Sequence, residues 1–393
     1  MIQELTLRGL LSFGPDTPSL EMRPLNVLIG PNGSGKSNIL EAIGLLRHAP
    51  KRLAEPVGGA DGSGVAEWIW KGSPFGNARI DAVVENLPGK QPLRHIIEFT
   101  DTAARFELVG EVIEYAKPGA GHEEAYWFYR FQNGRPVLRV QDDDPKKQRS
   151  LRLEDVAIDE SILSQRKDPD QYPALAHLAD VYSSIRLYRE WSFGRSAVFR
   201  RPQSASLPGD RLEESFSNLG LFLNQLRGVP KAKNTIITHL RDLYADLDDF
   251  DVRIREGGTV EVFLTEGDFI IPGSRLSDGT LRYLCLLAIL CDPDPPPLIC
   301  IEEPELGLHP DLLPKIADLL VAASERTQLI VTTHSDILVD AMTEQPESVV
   351  VVEKHNGQTQ MRRLQADDEL TAWLEKYRLG HLWISGEIGG KRW

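Results

Sequence analysis

Eight consecutive residues, Gly30-Pro31-Asn32-Gly33-Ser34-Gly35-Lys36-Ser37, satisfy the pattern G-x-x-x-x-G-K-[ST] at every fixed position. The chemistry this pattern serves is the cradling of phosphates. Glycines let the backbone wrap closely and aim its N–H groups at anionic oxygens, and a following helix adds the positive end of its dipole. Lys36 is placed to reach the β- and γ-phosphates of ATP, the Ser37 hydroxyl to bind Mg²⁺, and Asn38 completes the turn into the helix. The flanks agree. Leu25-Asn26-Val27-Leu28-Ile29 has the continuous apolar character of a buried strand, and Ile39, Ile43 and Leu46 recur at helical spacing.

Three later clusters can act on the same ligand. Pro297-Leu298-Ile299-Cys300-Ile301 is a second buried strand, and it runs into Glu302-Glu303-Pro304-Glu305. Adjacent carboxylates at a strand tip repel unless a cation lies near. Strand alternation places Glu302 and Glu303 on opposite sides. One of them can then hold Mg²⁺, usually through water, while the other polarises the attacking water. Leu276-Ser277-Asp278-Gly279-Thr280 precedes an apolar helix. Ser277 and Gly279 at its start make either a plain N-cap or a second anion-receptive end. Leu329-Ile330-Val331-Thr332-Thr333 is a third buried strand followed by His334-Ser335, and His334 in this order of motifs is a candidate γ-phosphate sensor.

Other positions keep two readings. Phe13 is either an adenine-stacking ring or a core residue. Residues 181–203 set Arg186, Arg189, Arg195, Arg200 and Arg201 among Tyr182, Tyr188, Trp191, Phe193 and Phe199, with Glu190 the one acid. Such a run either grips nucleic-acid phosphates and stacks on bases, or forms an arginine–acid network on a helical lobe with buried aromatics.

The elements that must position these groups alternate strand and helix at both ends of the chain. A β-prone stretch fills 79–150, with Asp142-Asp143-Asp144-Pro145 as an acidic loop, and helical patterning dominates 151–250. The chain has 393 residues and a formal charge of −14, which excludes a surface generally coated for nucleic acid. Only three cysteines occur, Cys285, Cys291 and Cys300, none in a C-x-x-C pair. They read as buried thiols rather than as a zinc site or disulfide framework. No apolar run approaches the ~20 residues of a membrane span, and the N-terminus lacks signal-peptide character. A cytoplasmic protein with no membrane partner is the expectation.

The order GPNGSGKS, LSDGT, ICIEEPE, VTTHS resembles an ABC-type ATPase head. With KSNILEAI and EEPELGLHP it resembles more narrowly the SMC/RecF-like branch of AAA family ATPases, related to the ATPase part of OLD-type nucleases. The resemblance implies an α/β P-loop NTPase head with a β-rich insertion and a helical lobe. Residues 1–78 are expected as the N-terminal part of the core, 79–150 as a β-rich subdomain and 151–250 as the helical lobe. Residues 251–363 would form the C-terminal part of the core and 364–393 a tail that docks on the head or a partner. It further implies ATP hydrolysis with Mg²⁺, and a homodimer in which the Ser277–Gly279 signature of one head caps the phosphate loop of the other. Work in DNA repair or defence against foreign DNA follows from the branch. The alternative is a slow or non-catalytic scaffold that organises a separate nuclease subunit. The pattern puts Glu302 at the Mg²⁺ position of the carboxylate pair and Glu303 at the water-activating one, and Gln165, Gln132 and Gln148 compete for its Q-loop glutamine. Two positions depart from it: Glu302 stands where most ABC heads have Asp, and Asp278 where transporters favour Gly. The residues after His334 are too few for the nuclease domain that OLD-type chains append.

Overall fold

The computed structural model describes residues 1–58, 64–72, 76–132, 134–139, 148–150, 156–157, 159–191, 194–195, 197–255 and 257–390. The acidic loop at Asp142–Pro145, Phe193, and the final Lys391-Arg392-Trp393 lie outside them, as do the side chains of Gln148 and Phe199. The fold is mixed α/β, built as two compact units. One comprises Met1–Ile185, Glu347–Gln365 and Gly386–Trp393, the other Arg186–Pro346 and Ala366–Ser385.

In the first unit the strand Leu25–Ile29 is buried at all five positions and pairs in parallel with Val349–His355. That strand turns back antiparallel through Gln358–Arg363. Burial on both faces is why Val27-Leu28-Ile29 and Val349-Val350-Val351-Val352 read as unbroken apolar runs. The helix Lys36–His48 follows the phosphate loop and buries Ile39, Leu40, Ile43 and Leu46.

An eight-stranded sheet occupies the rest of this unit. From Ala78–Val84 it proceeds by nearest-neighbour antiparallel pairing through Leu93–Thr102, Arg105–Tyr115, Trp127–Gln132 and Arg135–Arg139 to Gln148–Ser150. One of its hairpins turns on Ala103-Ala104 with φ of 53° and 62°, a left-handed pair with none of the Asn-Gly chemistry that usually marks such turns.

Helices Ile162–Gln165 and Pro173–Ser183 are fastened to that sheet by a buried polar cluster. His95 Nε2 lies 3.0 Å from Glu111 Oε1, and His95 Nδ1 lies 3.3 Å from the Tyr182 hydroxyl. Glu111 also accepts from the Ser161 hydroxyl and, at 2.9 Å, from the Ile162 N–H. Each polar group has a partner, as burial requires.

The second unit centres on parallel strands Arg186–Tyr188, Leu298–Glu302 and Gln328–Thr332. Helices Asp278–Leu290 and Leu313–Ser324 accompany them. A smaller antiparallel sheet joins Leu247–Arg255, Thr259–Glu266 and Phe269–Pro272. The helices of 151–250 fall on both sides of the Ile185/Arg186 boundary, with Leu219–Arg227 and Pro230–Leu240 in this unit. Cys285, Cys291 and Cys300 are free and buried, and burial pushes the Cys291 thiol up to about 12.

The tail docks on its own chain. Gly390 N–H donates to Glu353 (2.8 Å) and Arg362 to the Ile388 carbonyl (2.7 Å). In the second unit, a Cβ at Gly380 would fall 2.3 Å from the Asp336 carbonyl oxygen, so the helix Leu379–Ser385 sits directly against that backbone. Among the described residues no helix is long and apolar enough to cross a membrane.

Candidate functional site: a phosphate loop and a carboxylate strand tip

The loop between Leu25–Ile29 and Lys36–His48 closes through backbone that only glycine accepts readily. Gly30 has φ 149° and Gly35 φ 106°. A Cβ on Gly30 would lie 2.0 Å from the Val352 carbonyl oxygen, and one on Gly35 2.3 Å from the Thr359 hydroxyl. Lys36 folds back along the loop, its Nζ donating to the carbonyls of Gly30 (2.8 Å) and Pro31 (3.0 Å). The helix N-terminus has neither a side-chain cap nor an acidic first turn. Ser34 is buried, and its hydroxyl has no hydrogen-bond partner. Ser37 is exposed. An uncapped positive helix end, a lysine over the turn and an unsatisfied buried hydroxyl fit a phosphate chain.

The support of this loop was not legible in the sequence. Thr359, fully buried on Gln358–Arg363, donates to the Ser34 carbonyl (2.7 Å) and bonds the Ser12 hydroxyl (2.6 Å). Asn38 donates to that same Ser12 hydroxyl (2.7 Å). No motif flags Ser12 or Thr359; only the hairpin pairing with Val349–His355 brings Thr359 to the loop.

In the second unit, Glu302 ends its strand as expected, but Glu303 does not continue it. Its φ is 47°, so strand alternation stops at Glu302 and the expectation of opposite sides by pleating is corrected. The turn is held by the Glu303 N–H, which donates to the Thr332 carbonyl (3.0 Å) and lies 3.2 Å from the Thr332 hydroxyl. Left-handed backbone on a glutamate costs about 1–3 kcal/mol and persists where its surroundings fix it.

His334 Nε2 sits 3.4 Å from Glu303 Oε1, and the His334 N–H donates to Glu305 Oε1 (2.7 Å). Glu305 also accepts from the Thr333 hydroxyl (2.7 Å), while its buried Oε2 has no partner. Beneath them lies Arg282 of the Asp278–Leu290 helix, donating to the Glu303 carbonyl (2.8 Å). Burial pulls its guanidinium down to about 10, against the opposing pull of Glu305. Among the described residues no cluster of three or more His, Cys, Asp or Glu can hold a metal alone.

The Asp278–Leu290 helix is capped from within. Ser277 Oγ accepts the Thr280 N–H (3.0 Å) and contacts the Thr280 hydroxyl (2.7 Å), and Asp278 places a negative charge in the first turn. Arg200 answers that charge. It pairs with Asp278, holding that carboxyl below its usual range, and donates to the Leu276 carbonyl (2.6 Å). The Gly194 N–H also donates to Asp278 (3.1 Å).

The aromatic and basic run 181–203 is therefore largely committed to its own chain. Tyr182 and Tyr188 are buried, and Trp191 stacks on Phe216 at 5.5 Å. Arg189 pairs with Glu302 (2.9 Å), and Trp191 Nε1 donates to the Glu302 carbonyl (2.7 Å). Arg195 and Arg201 are exposed. Gln165 is spent on its own turn, accepting from the Ala157 N–H (3.0 Å) and donating to the Glu160 carbonyl (3.0 Å). Phe13 is fully buried, a core residue.

Comparison with known proteins agrees with this architecture. The structure is similar to the Smc head bound to the C-winged helix domain of ScpA, with TM-score 0.52 and 15% identity over 94% of this chain and 99% of that one. It is similar also to the Smc head domain with an extended coiled coil bound to the C-terminal domain of ScpA, from Pyrococcus furiosus, with TM-score 0.50 and 14% identity over 95% and 98%. In sequence, 122 residues are 29% identical to the chromosome partition protein Smc of Mycobacterium leprae (strain TN), covering 28% of this chain and 10% of that protein's length. The fold is thus that of an SMC-type ABC ATPase head. The family model described as "AAA domain, putative AbiEii toxin, Type IV TA system" matches residues 25–340, from the strand before the phosphate loop to the helix after His334, and the chain belongs to that family.

Proposed function

We propose that this protein binds and hydrolyses ATP with Mg²⁺ and works as an ATP-gated dimeric switch. The observation that carries the reading is the loop 30–37 itself, with its uncapped helix end, the lysine laid over it and the buried Ser34 hydroxyl left without a partner. Mg²⁺, when bound, would supply charge neutralisation on the phosphates. The residues of this chain supply the rest. Backbone N–H groups and Lys36 would bind the phosphate oxygens, and Ser37 and Glu302 are the residues that would hold the metal. Glu303 takes the proton of the attacking water, with His334 beside it to orient the carboxylate. The family resemblance supports a role in DNA repair or defence against foreign DNA. The heads whose fold it shares are bound to ScpA domains, which supports a protein partner for this chain too.

The test is equilibrium binding of ATP with and without Mg²⁺, beside phosphate release, in the wild type and in Glu303→Gln. The expected result is Mg²⁺-dependent binding in both and turnover only in the wild type. Absence of ATP binding by the folded wild type overturns the reading.

A further inference from the structure

The parallel strands Leu298–Glu302 and Gln328–Thr332 end their pairing at Glu302 and Thr332, and beyond that point side chains join them. Glu305 Oε1 accepts from the Thr333 hydroxyl and from the His334 N–H, each at 2.7 Å. The Thr333 oxygen in turn accepts the Ser335 N–H (3.0 Å), and the Ser335 hydroxyl accepts the Leu338 N–H (3.2 Å). The peptide groups on both sides of His334 are thereby fixed, one by Glu305 directly and the other through Thr333. From this pinned backbone the imidazole reaches Glu303, with Nε2 3.4 Å from Oε1. Glu303 is pinned separately, its N–H on the Thr332 carbonyl and its own carbonyl under Arg282. The two side chains are 28% and 31% exposed, so the backbones that carry them set their contact more than packing around it does.

We propose that Glu305 is a positioning residue for hydrolysis: it holds His334 against Glu303 and does not itself touch the ligand. The inference rests on the reading of Glu303 as the group that takes the proton of water, with His334 beside it. A carboxylate suits the task because two donors converge on one of its oxygens, and an ionised acceptor bonds them more strongly than a neutral one. The buried Arg282 guanidinium, which bonds the Glu303 carbonyl, is drawn by the same carboxylate. Without Glu305 the His334 N–H and the Thr333 hydroxyl lose their acceptor, and nothing else bonded to them ties His334 to the turn that carries Glu303. A misplacement of about 1 Å at a catalytic group costs on the order of a hundredfold in rate.

The experiment is a double-mutant cycle on phosphate release, with ATP affinity and the His334 ring resonance measured beside it. Glu305→Ala should lower kcat by about tenfold or more and leave ATP affinity within about twofold. In a His334→Ala background the same change should cost less than about twofold further, because Glu305 acts through the residue already removed. Glu305→Gln, whose amide oxygen can accept the same two donors, should rescue most of the loss. The carbon–proton resonance of the His334 ring, assigned by its disappearance in His334→Ala, should move in Glu305→Ala and return in Glu305→Gln. If Glu305→Ala fails to fold, Glu305→Met takes its place in the cycle. An equal loss of kcat with and without His334, a ring resonance unmoved by Glu305→Ala, or Glu305→Gln as impaired as Glu305→Ala overturns the positioning role while the Glu303 reading stands. A wild type that binds ATP without hydrolysing it overturns the reading of Glu303, and the proposal with it.

Discussion

In the proposed reaction Lys36, Glu303 and Glu302 carry most of the chemistry, and each has an environment that sets its test. Lys36 is already engaged by two loop carbonyls, so its ammonium is held over the turn before any ligand arrives. Lys36→Ala should weaken ATP binding roughly ten- to a hundredfold, the range of one or two charge-assisted hydrogen bonds, with secondary structure intact by circular dichroism. Glu303 and Glu302 separate on a different readout. Glu303→Gln keeps the side-chain shape and the left-handed turn but removes the base. It should retain ATP binding and lose at least about a hundredfold in kcat. Glu302→Gln should raise the Mg²⁺ concentration needed for half-maximal rate. If Glu303→Gln hydrolyses ATP at full rate in phosphate-release assays, the assigned roles are void. Arg282 belongs beside them although no motif names it. It is a buried cation bonded to the Glu303 carbonyl and near Glu305. Arg282→Met should destabilise the fold by about 1–3 kcal/mol, because it takes the guanidinium donor from the Glu303 carbonyl and the cation from beside Glu305; a chemical-denaturation midpoint reads this.

At the level of elements, the phosphate loop depends on a hairpin that arrives more than three hundred residues later in the chain. The separation from Thr359 to Ser34 is 325 positions, yet the Thr359 hydroxyl joins the Ser34 carbonyl and the Ser12 hydroxyl. Thr359→Val removes that hydroxyl at nearly constant volume and leaves the Ser34 carbonyl short of a donor. An unsatisfied buried polar group costs about 1–3 kcal/mol. Placed on the loop, that cost should appear as an ATP affinity lowered by several-fold or more with a small change in thermal midpoint. Equal ATP affinity in Thr359→Val and wild type, by calorimetric titration, would show that the hairpin is packing only. The contrast marks what the sequence can and cannot say. Leu25–Ile29, Leu298–Glu302 and Gln328–Thr332 were legible because strands buried on both faces are continuous apolar runs. The loop 30–37 was legible because its chemistry demands contiguous residues. Thr359, Ser12 and Arg282 were hidden because each acts through a tertiary contact, which leaves no spacing to read. The turn at Glu303 was hidden too: a non-glycine in left-handed backbone is set by Thr332 and not by its own preference. In the run 181–203, Arg189 and Arg200 pair with Glu302 and Asp278 as the arginine–acid network reading has it, while Arg195 and Arg201 are exposed.

For the whole molecule the question is whether one chain completes its own site. Ser277 and Asp278 are exposed at the start of their helix, and the helix end is satisfied internally by the Ser277 hydroxyl and by Asp278. In the ABC-type arrangement that the resemblance implies, Ser277 and Gly279 meet the γ-phosphate held by a second subunit, so ATP closes the dimer and hydrolysis reopens it. Ser277→Arg puts a bulky cation at that surface. It also removes an N-cap worth about 1 kcal/mol, so Ser277→Asp, which keeps a capping oxygen and adds a negative charge, serves as the paired variant. Both should bind ATP at the 30–37 loop with near wild-type affinity, fail to dimerise in ATP by analytical ultracentrifugation, and lose hydrolysis. Ser277→Asp fails because its carboxylate repels phosphate. Neither Ser277→Arg nor Lys36→Ala should hydrolyse ATP alone. An equimolar mixture should regain part of the rate, since one of the two composite sites in a mixed dimer pairs an intact loop with an intact signature. The recovered rate should fall as the mixture is diluted, because it requires association. Full hydrolysis by Ser277→Arg, independent of protein concentration, would show that the site closes within one chain, and the dimeric switch would be wrong while the phosphate loop stood.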